Sequence, residues 1–195
     1  MPKFEQALSQ IDTAHSQDPR LVNPSRSAHT NQVPYELHYA TKMTEYLEKR
    51  HPAASETLQL AVRAQHLRRW EVPRSEYPMT KAGYHAWRGY LQKRQAELAR
   101  AMCAESGYSE DEAERVAALV RKEGLKRSED EETQVLEDVA CLVFLDDRFE
   151  TFEQGVEDEG KTVEILRKSL LKMSAVGREL AMEVVSERLS ERARG

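Results

Sequence analysis

The sequence predicts an all-α fold, a single-domain bundle of about seven helices, on three observations. Apolar residues recur at helical spacing, helix-start signatures recur along the chain, and breakers are few, with 8 Gly and 7 Pro in 195 residues. No stretch alternates apolar and polar residues over a length that would make a strand, and no internal repeat is visible.

Taken in order, Phe4 to about Ala14 reads as a short helix, followed by an irregular connector, DPRLVNPSRSAHTNQVP, broken by Pro19, Pro24 and Pro34. A connector this long inside a small domain is usually functional or mobile. From Tyr35 to Arg50, Ala40, Met43 and Leu47 share an inward face with Glu36, while His38, Lys42 and Glu45 fall on the wet side. Pro52 and a Ser55 cap open a helix to about Trp70 that stacks Leu58, Val62 and His66. Pro73 and Pro78 make the next stretch irregular, and Thr80 starts a long helix to about Met102 with Tyr84, Trp87, Leu91 and Leu98 inward.

Ser109 with Glu112, and Ser128 with Glu131, have the spacing of capping boxes, the first for a helix ending near Gly124 and the second for the helix containing VLEDVACLVFL. Two more helices follow, from about Thr162 to Met173 and from about Ser174 to Arg192, the last ending in charged residues. The organisation is an N-terminal helix and connector at 1–34, a helical core at 35–174 and a C-terminal helix with a frayed end at 175–195.

Composition excludes several classes. No apolar run approaches the roughly 20 residues that cross a bilayer, and MPKFEQALSQ lacks the apolar centre of a signal peptide, so the expectation is a cytoplasmic protein with no membrane partner. Cys103 and Cys141 are too few and too far apart for a disulfide framework or a Cys-based zinc site. The net charge of −5 argues against a general nucleic-acid binder. There is no GxSxG, no Cys beside a His and no phosphate-cradling glycine loop, which removes covalent catalysis and the common nucleotide-binding folds.

Chemistry concentrates in QHLRRWEVPRSEYPMTKAGYHAWR at 65–88, which holds both tryptophans. Arg69, Arg74 and Arg88 with Lys81 offer donors for phosphate or carboxylate, and Trp70, Tyr77, Tyr84 and Trp87 offer flat faces for a ring. Each has a plain alternative: arginines pairing with Glu71 or Glu76, aromatics filling the core. In VLEDVACLVFL, Glu137 and Asp138 interrupt an apolar run, so at least one carboxylate must enter the interior, where it needs a cation or hydrogen-bond donors. A buried ion pair with an arginine of 68–88, Lys122 or Lys126 meets that need as well as an active site does. Glu36, His66 and Asp138, each on the inward stripe of a different helix, form a set able to hold a divalent metal, while a lone inward histidine is also a common core residue.

The segments ASE at 54–56, RAQHLRRW at 63–70, PRSEYP at 73–78, GYHAWR at 83–88, LEDVACLVFL at 136–145 and ILRKSLLKMS at 165–174 resemble the DUF4202 domain proteins, over most of the chain from Tyr35 to Ser174. That resemblance implies a family without a known activity. A fainter likeness to HD-domain phosphohydrolases implies an HD-like topology, with His66 as the histidine of the paired motif, Asp138 as the late aspartate and Glu36 or His38 as a first metal ligand. The chain departs from that pattern at Leu67, which follows His66 where the superfamily carries aspartate, and the family pattern often has histidine where this chain has Gln95.

The functional expectation is an enzyme acting on a small phosphorylated or nucleotide-like metabolite, by phosphoester hydrolysis with or without a divalent metal. His66, Glu137 and Asp138 sit at its reaction centre and the arginines hold the anion. The alternatives are a non-catalytic module that binds an anionic metabolite and an RNA-associated helical protein. Arg68 and Arg69 are expected to keep His66 neutral by repulsion.

Overall fold

The short polar connectors and amphipathic segments fold as the composition demands: helices bury one stripe each around a common core. The computed structural model describes residues 1–24, 31–125, 130–153 and 159–192. Eight α-helices lie among these, and the fold is all-α. They are α1 (Lys3–His15), α2 (Tyr35–Arg50), α3 (Glu56–Arg63), α4 (Lys81–Glu105), α5 (Glu110–Val120), α6 (Glu131–Glu153), α7 (Glu159–Leu170) and α8 (Ala175–Arg192). The connector contributes a two-residue antiparallel ladder, β1 (Leu21–Val22) on β2 (Val33–Pro34), too short to register as alternation in the sequence.

α6 is the central element because it is apolar on nearly every side. Val135, Leu136, Val139, Leu142, Val143 and Leu145 are all buried, against Met43 and Leu47 of α2, Leu58 and Val62 of α3, and Val116 and Leu119 of α5. Each such Leu or Val contributes roughly 1.5 to 3 kcal/mol by leaving water. α1 joins the same core through Ala7, Ile11 and Ala14. A smaller cluster of Val72, Trp87 and Leu91, with Tyr77 against it, fastens the irregular segment before α4 onto that helix.

Helix starts follow local chemistry. The Ser55 side chain accepts from Leu58 N at 3.1 Å, Thr80 accepts from Gly83 N at 3.1 Å, and the Ser109–Glu112 capping box forms in full. The start of α6 is held by Asp130, whose Oδ1 accepts from the N–H groups of Glu132 and Thr133. Ser128, the expected cap, lies outside the described residues, as does Lys126.

Three expectations are corrected. The helix opened by Ser55 stops at Arg63, because His66 and Arg68 adopt positive φ angles of 64° and 51°, so His66 does not share a helical stripe with Leu58 and Val62. Lys42 is buried: it lies 2.8 Å from Asp146 and 2.5 Å from Asp147, an ion pair between α2 and α6 that spacing within α2 could not reveal, and His38 beside it is half-buried. Tyr84 is 41% exposed, since the first turns of α4 project beyond the core and, of the large side chains at that end, only Trp87 and Leu91 are buried.

Asp138 shows how one buried carboxylate organises a corner of the bundle. Its Oδ1 accepts from Ser174 N at 2.8 Å and Gln134 Nε2 at 3.0 Å, and its Oδ2 accepts from Arg50 Nε at 2.9 Å and Ser174 Oγ at 2.5 Å. α6 is thereby tied to the end of α2 and the start of α8. A methyl group on Gly177 would sit 2.5 to 2.8 Å from the Asp138 carboxylate, which is why this helical position has no side chain.

Two variants test the knot by urea unfolding. Asp138→Ala leaves the Arg50 charge and the Ser174 N–H without a partner and is expected to cost about 3 to 5 kcal/mol. Gly177→Ala would ordinarily gain about 1 kcal/mol in a helix; here overpacking against Asp138, about 1 to 3 kcal/mol, is expected to reverse the sign. A stabilised Gly177→Ala protein would show that the carboxylate has room to move.

Candidate functional site

The segment between α3 and α4 turns where a helix would have continued, and it is pinned from both sides. Glu36 of α2 accepts the Trp70 N–H at 2.9 Å, Arg94 of α4 donates to Arg68 O at 3.0 Å and also pairs with Glu71, and the Trp87 indole donates to Val72 O at 2.9 Å. Left-handed backbone at His66 and Arg68, neither of them glycine, costs on the order of 1 kcal/mol or more at each position. These outside bonds hold the strain in place.

The turn aims His66 and Arg69 at a cavity of about 650 Å³ enclosed by α2, α4, α5, α6, α7 and this segment. The His66 ring stacks on Tyr39, centroids 4.0 Å apart and planes 18° from parallel. Its Nε2 lies 2.7 Å from Arg69 Nη1. A guanidinium only donates, so Nε2 is the acceptor and the ring proton sits on Nδ1, which is buried without a partner among the described residues. Burial first, then the charges of Arg69, Lys122 and Arg88, holds the His66 pKa well below its ordinary value. Arg68, expected to share in that repulsion, is instead bonded to Glu71 and Gln17.

The cavity wall carries the cations Arg69, Arg88, Lys122, Lys168 and Lys172 and the carboxylates Glu137 and Asp147. Both carboxylates already have partners, Glu137 in Lys122 and Asp147 in Lys42. Lys168 faces Glu164 at 3.2 Å. Arg69, Arg88 and Lys172 have no carboxylate partner among the described residues. The Arg69 guanidinium lies over the Trp87 ring at 4.7 Å and is partly desolvated, and burial lowers its pKa. Tyr35, Tyr39 and Tyr84 add rings, and Gln65, Gln92 and Gln95 add amides. A wider groove of about 1470 Å³ adjoins the cavity and shares Arg88, Gln92, Lys122, Glu137 and Lys172 with it.

Of the residues singled out in the sequence, His66, Arg69, Tyr84, Arg88 and Glu137 line this cavity. Asp138 does not; its oxygens are engaged by Arg50, Gln134 and Ser174. Glu36 is fully buried with Trp70 N and Arg20 on Oε1 and with His15 Nδ1 3.6 Å from Oε2. Glu36, His66 and Asp138 therefore serve three different surroundings, and no group of three or more His, Cys, Asp or Glu suited to a metal occurs among the described residues. These three side chains do not form a donor set that fits a divalent ion.

Trp70, Arg74, Tyr77 and Trp87 also lie outside the cavity wall. Arg74 donates to the carbonyls of Tyr77, Pro78 and Thr80 and so braces its own loop. Trp87 is buried at 6% exposure, and Tyr77 packs beside it. Sequence reasoning missed Tyr35, Tyr39, Gln65, Lys168 and Lys172 as wall residues. Tyr39 had a signal, three positions after Glu36 and four before Met43 on the inward face of α2; the others project from segments whose approach to the cavity is set by tertiary packing.

Compared with known proteins, residues 5–195 match the family model described as a domain of unknown function, DUF4202. The match extends on both sides of the 35–174 core whose motifs carry the resemblance. No curated protein and no solved structure matches the chain. No helix among the described residues is long and apolar enough to cross a membrane.

The buried histidine has a pH signature. In the unfolded chain an imidazole takes up a proton near pH ~6.5, whereas in the fold His66 resists it to well below that value. The stability it contributes is complete above the unfolded pKa and declines as pH falls through it toward the folded pKa. Urea midpoints of wild type and His66→Gln, compared at roughly pH 7.5 and 5.5, should show a smaller acid loss in the variant. Equal losses would mean that His66 titrates normally in the folded protein.

Proposed function

This chain belongs to the DUF4202 family, whose description carries no activity, and from the chemistry of its cavity we propose that it binds a small phosphorylated or nucleotide-like metabolite. The observation that carries this reading is the set of three cations lining one cavity, Arg69, Arg88 and Lys172, with no carboxylate partner among the described residues. Arg69 is half-buried over the Trp87 ring while Arg88 and Lys172 stay exposed, so the cost of gathering these like charges falls mainly on Arg69, and an anion joining them would offset it. Two guanidinium forks and an ammonium match a phosphate, which offers acceptor oxygens in several directions. The volume suits a small molecule, and Tyr35 and Tyr39 give the rest of it an apolar face.

A second reading, hydrolysis of the bound phosphoester, is favoured by Glu137. Its carboxylate is only 7% exposed, faces the same cavity and is kept beside the Lys122 ammonium. In such a reaction a water oxygen attacks phosphorus, Glu137 accepts the proton, and that proton passes to the departing ester oxygen. His66 supports this reading less than the sequence led one to expect, because its free nitrogen lone pair already accepts from Arg69. Its role here is to place Arg69. The RNA reading is weakened by the inward placement of Trp87, which takes one of the two tryptophans out of reach of a base.

Titration calorimetry with inorganic phosphate and ribose 5-phosphate, alongside thermal melts, tests the binding site. Arg69→Ala and Arg88→Ala are each expected to weaken binding by about 1.5 to 3 kcal/mol, the value of a charge-assisted hydrogen bond. Arg74→Ala should lower the melting temperature and leave affinity unchanged. Unchanged affinity in both cavity variants would remove the anion from this wall. Phosphate release from phosphoesters, lost in Glu137→Gln, would establish hydrolysis; binding without release would leave a sensing module.

A further inference from the structure

Gln95 occupies a position on α4 that the packing alone would assign to an apolar residue. It is 7% exposed, its neighbours Leu91, Ala96 and Ala99 are buried, and its side chain lines the cavity. The Nε2 atom is buried with no hydrogen-bond partner among the described residues. Rotating the amide exchanges the two atoms and leaves a buried carbonyl oxygen in its place. An unsatisfied buried donor is a standing cost that a leucine of similar volume would remove. A polar ligand atom would remove it too.

Gln65 supplies the complementary group on the same cavity. It is 8% exposed, and its Nε2 donates to Ala61 O at 3.1 Å, an ordinary turn-to-turn bond that leaves Oε1 as an acceptor. The enclosed wall thus carries one amide donor and one amide acceptor, the pattern that the edge of a heterocyclic base answers with an acceptor and a donor of its own. Beside them the stacked Tyr39 and His66 rings, 4.0 Å apart, form a rigid flat surface that a planar ring can extend. We infer that Gln95 and Gln65 read the edge of a nucleobase, so that the ligand is a nucleoside monophosphate with its phosphate at Arg69, Arg88 and Lys172.

This assignment rests on the anion site proposed above and adds to it the identity of the group at the other end of the ligand. A sugar phosphate would satisfy the cations and leave both amides as they are; a nucleotide satisfies both ends. A site built to hydrogen-bond a polar edge discriminates strongly against ligands lacking it, because its own buried groups are otherwise left unpaired.

The test is calorimetric titration of the full chain with the adenosine, guanosine, cytidine and uridine monophosphates, with ribose 5-phosphate and inorganic phosphate as truncated ligands. At least one nucleotide should bind about tenfold or more tightly than ribose 5-phosphate. Gln95→Leu should erase that margin and keep the affinity for ribose 5-phosphate, while its melting temperature stays level or rises because the unpaired amide is gone. Gln95→Met serves the same purpose if the leucine variant does not fold, and the wild-type series is decisive without either. If every nucleotide binds no better than ribose 5-phosphate, or Gln95→Leu shifts melting without touching the margin, the base-reading assignment falls and the anion site stands. If no phosphorylated ligand binds wild type, both fall.

Discussion

Glu36 is the group on which the site depends. A carboxylate with no exposure to water must find donors inside the protein, and those on its Oε1 come from separate parts of the chain: the Trp70 N–H from the turn after α3 and Arg20 from the connector, while Oε2 has no hydrogen-bond partner among the described residues and lies 3.6 Å from His15 Nδ1 of α1. Asp18 strengthens the arrangement by pairing with Arg20 and accepting the Glu36 backbone N–H at 3.1 Å. One buried side chain therefore ties together the connector, α2 and the turn that carries His66 and Arg69, with His15 of α1 packed beside it. The long connector, so irregular in sequence, has a structural reason: it delivers Asp18 and Arg20 to this knot.

The cavity beyond the turn follows an opposite logic. Around Asp138 both carboxylate oxygens are met by protein donors, as the expense of burying ions requires. At the cavity wall the two carboxylates are already paired, with Lys122 and Lys42, and Arg69, Arg88 and Lys172 remain over. Burial first, and then that imbalance, lowers the His66 pKa, and the cations give the cavity a positive potential. A protein of net charge −5 thus gathers, around one cavity, cations without carboxylate partners among the described residues.

The two carboxylates of VLEDVACLVFL divide between these regimes although they are adjacent in sequence. Successive residues on a helix point about 100° apart, so Glu137 faces Lys122 and the cavity while Asp138 faces Arg50 and the start of α8. The expectation that they would act together treated adjacency as proximity of function. The buried ion pair and the cavity site, set out as alternatives, coexist: Glu137 is paired with Lys122 and lines the cavity as well.

By itself the sequence determined the fold class, the helix starts marked by Ser55, Thr80 and Ser109, the inward stripe containing Glu36, the interior placement of Glu137 and Asp138, and the family. These depend on periodicity and on side chains within three or four residues of one another, interactions that the chain carries wherever it folds. Tertiary structure alone decided that α3 ends at Arg63, that Lys42 is buried by carboxylates of α6, and that Gln65, Gln95 and Lys172 face one cavity. Each of these turns on a partner tens of residues away or on a backbone bend, and His66 shows why: its inward stripe was drawn on an unbroken helix, and a φ of 64° redirects it to Tyr39 and Arg69.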